Sequence, residues 1–357
     1  MTRIVRIALV TLGDPGRLTG GYLYHRRMAD RAAQHDARIT FVSLPALPFP
    51  LPALAAPRVL RYLPPADVLL LDSIAAAFVG PTFAVKAPPL PVAAILHQPP
   101  GGIDFGPIRS AVQAALDRLA YRGVRLLLVA SESLADELAT LGVPRERLRV
   151  VPPGRDVAPT TGGGAPLPDL RQGRQAAILG VGNWVERKGI HELLEAFARL
   201  PPALATLHLA GDDRADRRYA ARVRRLLARP DLSGRVTVHG PVGIETVALL
   251  YRAADIFALP SRKEPYGTVY GEAMAAGLPV VGWRAGNLPH LAEDGREGLL
   301  AEPGDSAGLT RALEALAKDE SRRREMGVAA QKRAEGRPTW DESAGMFFAA
   351  LREAVRE

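Results

Sequence analysis

The 357-residue chain contains no cysteine. That excludes disulfides, thiolate nucleophiles and thiolate metal sites, and it fits a reducing compartment. Long apolar runs are missing too: none approaches the roughly 18 residues that a membrane-spanning helix requires. Lysine is scarce, at five of 46 basic residues. Aromatics make up only 6% of the chain. In the densest basic run, residues 212–231 ("DDRADRRYAARVRRLLARPD"), Tyr219 is the only one. A nucleic-acid reader interleaves stacking side chains with its cations, so this run does not support that class. It reads as a solvated helix face, with contact to an anionic membrane surface as the functional alternative. The opening "MTRIVRIALVTLGDPG" has basic residues and a short apolar stretch but no small-residue cleavage site, and it reads as a first strand rather than a signal peptide.

What is present is a globular composition. The hydrophobic fraction of 47% suffices for a packed core, and the length fits one large domain or two ordinary ones. The formal net charge of +8 favours anionic ligands such as nucleotides, phosphates and anionic lipid.

Along the chain, short apolar strands alternate with helical patterns. "IVRIALV", "ARITFVSL", "DVLLLD", "PVAAILH", "VRLLLVA" and "RLRVV" read as strands. Residues 22–34, "RSAVQAALDRLAYR" and "SLADELATLG" read as helices, and the proline-rich "LPALPFPLPALAAP" is excluded from regular helix. Residues 157–173, rich in Pro, Gly and Thr, read as a linker. The alternation then restarts with "AAILGVG", "IHELLEAFARL", "ATLHLAG", "YAARVRRLLA", "RVTVHG", "TVALLYRAA", "DIFALP" and "LPVVGW", followed by helices from about Ser306. Near-continuous apolar strands between helices indicate parallel sheets covered on both faces. The expected class is therefore α/β: a doubly wound domain over residues 1–156, a linker over 157–173, and a second doubly wound domain over 174–337. Ligands of such sheets bind beyond the carboxyl ends of the strands, here at a central cleft that both domains face.

Four segments fall at predicted strand ends. "TGG", residues 19–21, precedes a helix, and Gly20 and Gly21 let backbone amides approach a phosphate or sugar, although a plain tight turn reads equally well. His97 ends a buried strand. "GVGNWVERKG", residues 180–189, carries Arg187 and Lys188 beside a helix start, where cations suit a diphosphate. "RKEPYGTVYGEAMAAG", residues 262–277, opens a helix near Thr268, and the amides of Tyr266, Gly267, Thr268 and Val269 there suit an anionic group. Glu264 lies just before that helix and Glu272 about one turn inside it. Two carboxylates beside a phosphate site make electrostatic sense if each accepts hydrogen bonds from hydroxyls, Glu264 from a hexose and Glu272 from a ribose. "GDD", residues 211–213, resembles an acidic metal motif but reads as a turn, and no metal ligand set is assigned.

These segments resemble the retaining glycosyltransferases of family 4. "SRKEPYGTVYGEAMAAGLPVVGWRAGNLPHLAEDGREGLLAEPGD" is similar to that family's C-terminal signature with its E-x7-E pair. "VASESLADELATLGVPRERLRVVPPGRD" and "GVGNWVERKGIHELLEAFARL" resemble its inter-domain approach and its first C-domain βα unit. The resemblance implies the GT-B fold, with two Rossmann-like domains and a final helix, residues 338–357, returning to the N-terminal domain. It implies that Glu264 contacts the donor sugar, Glu272 the ribose and Lys188 the diphosphate. It places Gly20 and Gly21 near phosphate and acceptor, His97 near the sugar, and the backbone through Pro241 and Val242 beside the base. One position departs: Asn183 stands where the family pattern has an arginine, which removes one expected cation from the diphosphate.

The activity so implied is metal-independent transfer of a hexose, with retention, from a UDP- or GDP-linked sugar to a hydroxyl of a glycan, lipid or small molecule. No cofactor beyond the donor is expected. Glu264, His97 and Lys188 form the expected catalytic set. A sugar-nucleotide 2-epimerase and a non-catalytic sugar-nucleotide or glycan-binding homologue are the alternatives. The expected location is cytoplasmic, with peripheral membrane contact and no nucleic-acid partner.

Overall fold

The structure is a computed structural model that describes residues 4–16, 20–88, 90–155 and 167–356. Thr19 of the first glycine loop and residues 157–166 of the expected linker lie outside the described residues. The chain divides into two compact units, Met1–Asp156 together with Pro338–Glu357, and Val157–Arg337.

The first unit is built on six parallel strands: β1 (Val5–Leu12), β2 (Ala37–Leu44), β3 (Val68–Asp72), β4 (Val92–Leu96), β5 (Leu126–Val129) and β6 (Leu148–Val150), in the order β2-β1-β3-β4-β5-β6. β3, β4 and β5 are buried along their whole length, which is why they read as unbroken apolar runs. Alternate residues of β3 serve two separate cores. Leu69 and Leu71 join helices α2 (Ala56–Arg61), α3 (Ser73–Val85), α4 (Pro107–Tyr121) and α5 (Glu132–Thr140) on one face. Val68 and Leu70 join α1 (Gly20–Arg31) and α13 (Trp340–Arg356) on the other. α13 closes that second face with Trp340, Phe347, Phe348 and Leu351, and Ser343 donates to the Pro152 carbonyl at 2.6 Å.

Two stretches add to the sequence reading. α3 has no amphipathic period, being apolar on every side, and is buried over its first two turns, with Ala84 and Val85 at its end exposed. The proline-rich segment holds a short 3-10 turn at Leu51–Leu54 and then enters α2 with Pro57 in its first turn, where a proline costs no hydrogen bond.

The second unit repeats the plan with β7 (Ala176–Val181), β8 (Ala205–Ala210), β9 (Val236–Gly240), β10 (Ile256–Ala258), β11 (Val280–Trp283) and β12 (Gly298–Ala301) in the order β12-β11-β10-β7-β8-β9, all parallel. Its helices are α6 (Ile190–Ala198), α7 (Arg217–Leu227), α8 (Ile244–Ala253), α9 (Thr268–Ala275), α10 (Leu288–Leu291), α11 (Ser306–Lys318) and α12 (Glu320–Glu335). Residues 167–173, read as linker, are fixed onto this unit. Leu170 is buried, and its carbonyl accepts from Thr206 Oγ1 at 2.6 Å and bonds His208 Nε2 at 2.8 Å. An apolar side chain that finds a pocket outweighs the Pro/Gly composition around it.

Candidate functional site

Each unit gathers polar side chains at the carboxyl ends of its strands, and the two clusters are described separately.

In the second unit, β7 runs into a turn and a single 3-10 turn, Glu186–Lys188, before α6 begins. That geometry carries Lys188 inward, only 8% exposed, onto the Glu264 carboxylate, to which its Nζ donates at close range. The same oxygen, Oε2, has Ser261 Oγ at 3.4 Å and Arg187 Nη1 at 3.9 Å. Arg187 also donates to the Lys263 carbonyl at 3.2 Å, and Ser261 Oγ to the Arg187 carbonyl at 3.1 Å. Lys188, Arg187 and Glu264, proposed from separate stretches of sequence, therefore form one ion cluster in which charge-assisted bonds fix the carboxylate.

Asn287, buried and unnoticed in the sequence, clamps the segment between Glu264 and α9. Its amide N–H donates to the Glu264 carbonyl at 2.9 Å, and its Nδ2 donates to the Tyr266 carbonyl at 2.7 Å. Gly267 then caps α9 with φ +83°, and a Cβ there would meet Leu291 at 2.8 Å, so both backbone and space call for glycine. Tyr270 and Gly271 donate to the Gly267 carbonyl, each at 3.1 Å. Thr268 and Val269 open the helix, where first-turn amides have no intrahelical acceptor and can serve an anion. The Tyr266 side chain turns to Arg337, whose guanidinium carbon lies 4.9 Å from the ring centre and whose Nη2 donates to the phenol oxygen. Burial raises the Tyr266 pKa, against the opposing pull of Arg337. A Cβ on Gly271 would come within 2.0 Å of Arg337 Nη1, so the small residue makes room for that stack.

Glu272 stands apart from this cluster. It is exposed on α9, and the buried Tyr251 of α8 donates to its Oε2 at 3.0 Å. Burial, and then the Glu272 charge, push the Tyr251 pKa well up, so the phenol stays protonated as a donor. The two glutamates of the E-x7-E pair thus have different partners and different exposure.

The remaining expected positions line neighbouring turns. Asn183 is exposed, and its Oδ1 accepts from the Asp212 amide at 3.1 Å, tying the turn after β7 to the turn after β8. Asp212 also accepts from the Arg214 amide at 2.9 Å, and Asp213 pairs with Arg224 at 2.6 Å. "GDD" is built as a turn, and among the described residues no three metal-ligating side chains converge. Pro241 and Val242 follow β9, with Val242 half-buried against the core. Beside them His239 Nε2 lies 3.1 Å from His208 Nδ1, a pair the sequence did not suggest.

In the first unit, His97 directly follows β4. Its ring packs against Tyr24 and His25, with 5.0 Å between ring centres in each case. Burial, reinforced by His25, pushes the His97 pKa down to about 3, which leaves a neutral imidazole. Its Nε2 is buried without a partner among the described residues. Gly20 and Gly21 begin α1, and a Cβ on Gly21 would come 3.3 Å from His97 Cδ2. The glycine lets the helix start approach the imidazole.

Behind His97 lies a buried imidazole–carboxylate pair that sequence reading missed. His25 Nε2 is 3.1 Å from Asp72 Oδ2, and Thr11 Oγ1 donates to the same oxygen at 2.7 Å. Asp72 Oδ1 accepts from the Ile74 amide at 3.3 Å and so caps α3. Burial opposes ionisation of Asp72, but His25 and Thr11 hold its pKa below the ordinary carboxylate value. A readable signal existed: an acid ending the fully apolar strand "DVLLLD" must find a partner when buried.

The fold is that of the GT-B glycosyltransferases. The chain resembles the sucrose-phosphate synthase of Thermosynechococcus elongatus with a TM-score of 0.81 at 20% identity, over 99% of each chain. It resembles Anabaena HepE in complex with UDP-glucose with a TM-score of 0.74 at 21% identity, over 97% of this chain and 99% of that one. At these identities the likeness establishes architecture. In sequence, residues 175–319 match the family described as glycosyl transferases group 1, and residues 3–154 the glycosyl transferase 4-like domain. The chain belongs to the glycosyltransferases that combine these two domains. Among curated proteins, the D-inositol 3-phosphate glycosyltransferase of Xylanimonas cellulosilytica is 32% identical over 244 residues, 64% of this chain and 57% of that protein. The lipopolysaccharide core biosynthesis glycosyltransferase LpsE of Rhizobium meliloti is 32% identical over 216 residues, 58% of each. The matched part therefore spans 57% and 58% of the length of these relatives.

Proposed function

We propose that the protein transfers a hexose from a nucleoside-diphosphate sugar to a hydroxyl of an acceptor, with retention at the anomeric carbon. The observation that carries this reading is the single ion cluster of Lys188, Arg187 and Glu264 at the threshold of α9, with Glu272 held separately by Tyr251. Lys188, Arg187 and the first-turn amides of α9 take the negative charge of the departing diphosphate, and stabilisation of developing charge by preset donors is the largest catalytic contribution such a site makes. No metal ion or cofactor is invoked in this scheme. Glu264 accepts from sugar hydroxyls and Glu272 from the ribose, while the base lies against Pro241 and Val242. The bond between the anomeric carbon and the phosphate oxygen breaks, the acceptor oxygen bonds the same face, and its proton passes to the leaving phosphate. His97 remains neutral and offers a hydrogen bond. The solved relative bound to UDP-glucose and the curated inositol-phosphate and lipopolysaccharide transferases support a nucleotide-sugar donor and a hydroxyl acceptor.

A direct test is a thermal-shift screen of UDP, GDP and their hexose conjugates, followed by transfer assays with the anomeric configuration read by NMR. A ligand that binds only the folded state at 100 times its Kd raises stability by about 2.7 kcal/mol. One nucleotide should stabilise the parent strongly, and Lys188→Ala should lower kcat by about 100-fold. Stabilisation without turnover of any conjugate favours the non-catalytic homologue. No response to any nucleotide overturns the donor reading itself.

A further inference from the structure

Among the described residues, Glu192 bonds none of those assigned to the donor, yet it joins the elements that carry them. It sits in the first turn of α6, its side chain 12% exposed. Its Oε1 accepts from Arg262 Nη2 at 2.6 Å, and its Oε2 accepts from Trp283 Nε1 at 3.3 Å. Trp283 ends β11 and is fully buried, so its indole N–H needs an acceptor within the protein. Arg262 lies two residues before Glu264, and its amide donates to the Arg187 carbonyl at 2.8 Å. β11, β10 and β7 are neighbours in the sheet, and one carboxylate fastens all three exits: β7 through α6, β10 through Arg262 and β11 through Trp283. The contact of Lys188 with Glu264 bridges two of the same exits, those of β7 and β10. The exits also approach closely in the backbone. Gly189, between Lys188 and α6, has φ +67°, and a Cβ there would come within 2.2 Å of the Pro260 carbonyl oxygen and 2.9 Å of Glu192 Oε2.

We propose that Glu192 is a positioning residue for the donor site: by holding Arg262 and Trp283 it sets how Lys188 and Glu264 meet. That role rests on the proposed reading of Lys188 and Glu264 as donor residues. Two plainer roles compete with it. Arg262 is 48% exposed, and an exposed arginine–carboxylate pair contributes little to stability. An acid in the first turn also suits the helix dipole. Neither role calls for the second bond. The Trp283 indole and the burial of the Glu192 side chain fix the carboxylate in one orientation, so Arg262 is drawn to a preset point. Catalysis is far more sensitive to such placement than folding is, since a displacement of about 1 Å at the reacting groups costs about 100-fold in rate.

The test compares variants by transfer kinetics, thermal melting and hydrogen exchange. Glu192→Gln keeps the shape but offers its single oxygen to only one of the two donors. It should lower kcat about 10- to 100-fold, with the donor KM within about twofold of the parent and Tm within about 3 °C. Glu192→Asp keeps the charge in the first turn but is one methylene short of Arg262. It should fall as far, whereas a helix-dipole role predicts parental kinetics. Arg262→Gln should lower kcat similarly, and Glu192→Gln with Arg262→Gln should cost no more than about twofold beyond either alone, because the two act as one unit. Glu186→Gln, whose carboxylate pairs outward with Arg222, should behave as the parent does. Exchange reads the placement without substrate. In Glu192→Gln the Arg262 amide should exchange at least about 10-fold faster, while the Leu259 amide, held by the Val281 carbonyl at 3.0 Å, keeps its protection. Parental kcat in Glu192→Gln, parental kinetics in Glu192→Asp, additive losses in the double variant, or unchanged protection of the Arg262 amide overturns the positioning role. A parent that turns over no nucleotide sugar fails the donor reading instead, and the Arg262 amide then decides alone whether Glu192 places that loop.

Discussion

At the scale of single residues, the molecule spends its buried charges in two opposite ways. Asp72 is held ionised by His25 and Thr11, so its contribution to stability is present above the ordinary carboxylate pKa and lost as the pH falls through its lowered folded value. Asp117 behaves in reverse. It is buried on α4 and accepts from the Gly101 amide at 2.8 Å, and burial raises its pKa to about 6. The folded state therefore binds this proton more tightly than the unfolded chain, whose carboxylate titrates near 3.9. Stability from the neutral acid is complete below that value and falls away until the pH passes about 6. Asp117→Asn should keep the neutral shape and abolish the penalty. We expect the variant to match the parent near pH 4 and to exceed it increasingly up to pH 6, by at most about 3 kcal/mol, with the difference constant above. Denaturant unfolding across that range measures it, and a pH-independent difference would exclude Asp117 as the titrating group.

At the scale of elements, what was readable followed from pattern strength. Apolar strands such as β3 and β4 announce themselves because both faces are covered, and α6, α7 and α11 because one face is. α3 gave no period, since a helix apolar on every side has none to give, and β12 went unread although the equally short β11 was read. The start of α9 was legible to the residue through its glycines, whereas Asn287 and Tyr251, which orient Glu264 and Glu272, carried no local signal because their partners are distant in sequence. Gly267 tests whether that helix start is as constrained as it looks. Gly267→Ala adds a Cβ 2.8 Å from Leu291 at φ +83°, while Gly295→Ala has φ +85° and open space around it. The second substitution isolates backbone strain at about 1 kcal/mol, and the first should cost about 2–3 kcal/mol in total. Equal shifts in Tm would show that the Leu291 contact relaxes freely.

At the scale of the whole molecule, the two units differ in how they are assembled. The second is one continuous segment, Val157–Arg337, and the first is completed by α13 from beyond it. The sequence placed that helix only through a resemblance, because its apolar pattern says that it packs and not where. In the structure it supplies Trp340, Phe347, Phe348 and Leu351 to the core beneath β1 and β3, and Arg149 pairs with Glu353 at its far end. Removal of residues 338–357 should therefore unfold the first unit and spare the second. Calorimetry of the truncated chain should retain one transition, and limited proteolysis should leave a fragment near residues 167–337. Survival of both transitions would mean that α13 is an accessory to a core complete without it.

That arrangement also sets an order of events during synthesis. The ribosome delivers the first unit's six strands well before α13, with the whole second unit in between. Until then one side of a sheet rich in Val, Leu and Ile has α1 but not its larger cover. A nascent chain in that condition offers a sticky surface to chaperones and to other nascent chains. The cell therefore sees a folding intermediate whose lifetime is the translation time of the second unit, and slowing translation there lengthens the period in which the protein is most prone to aggregate.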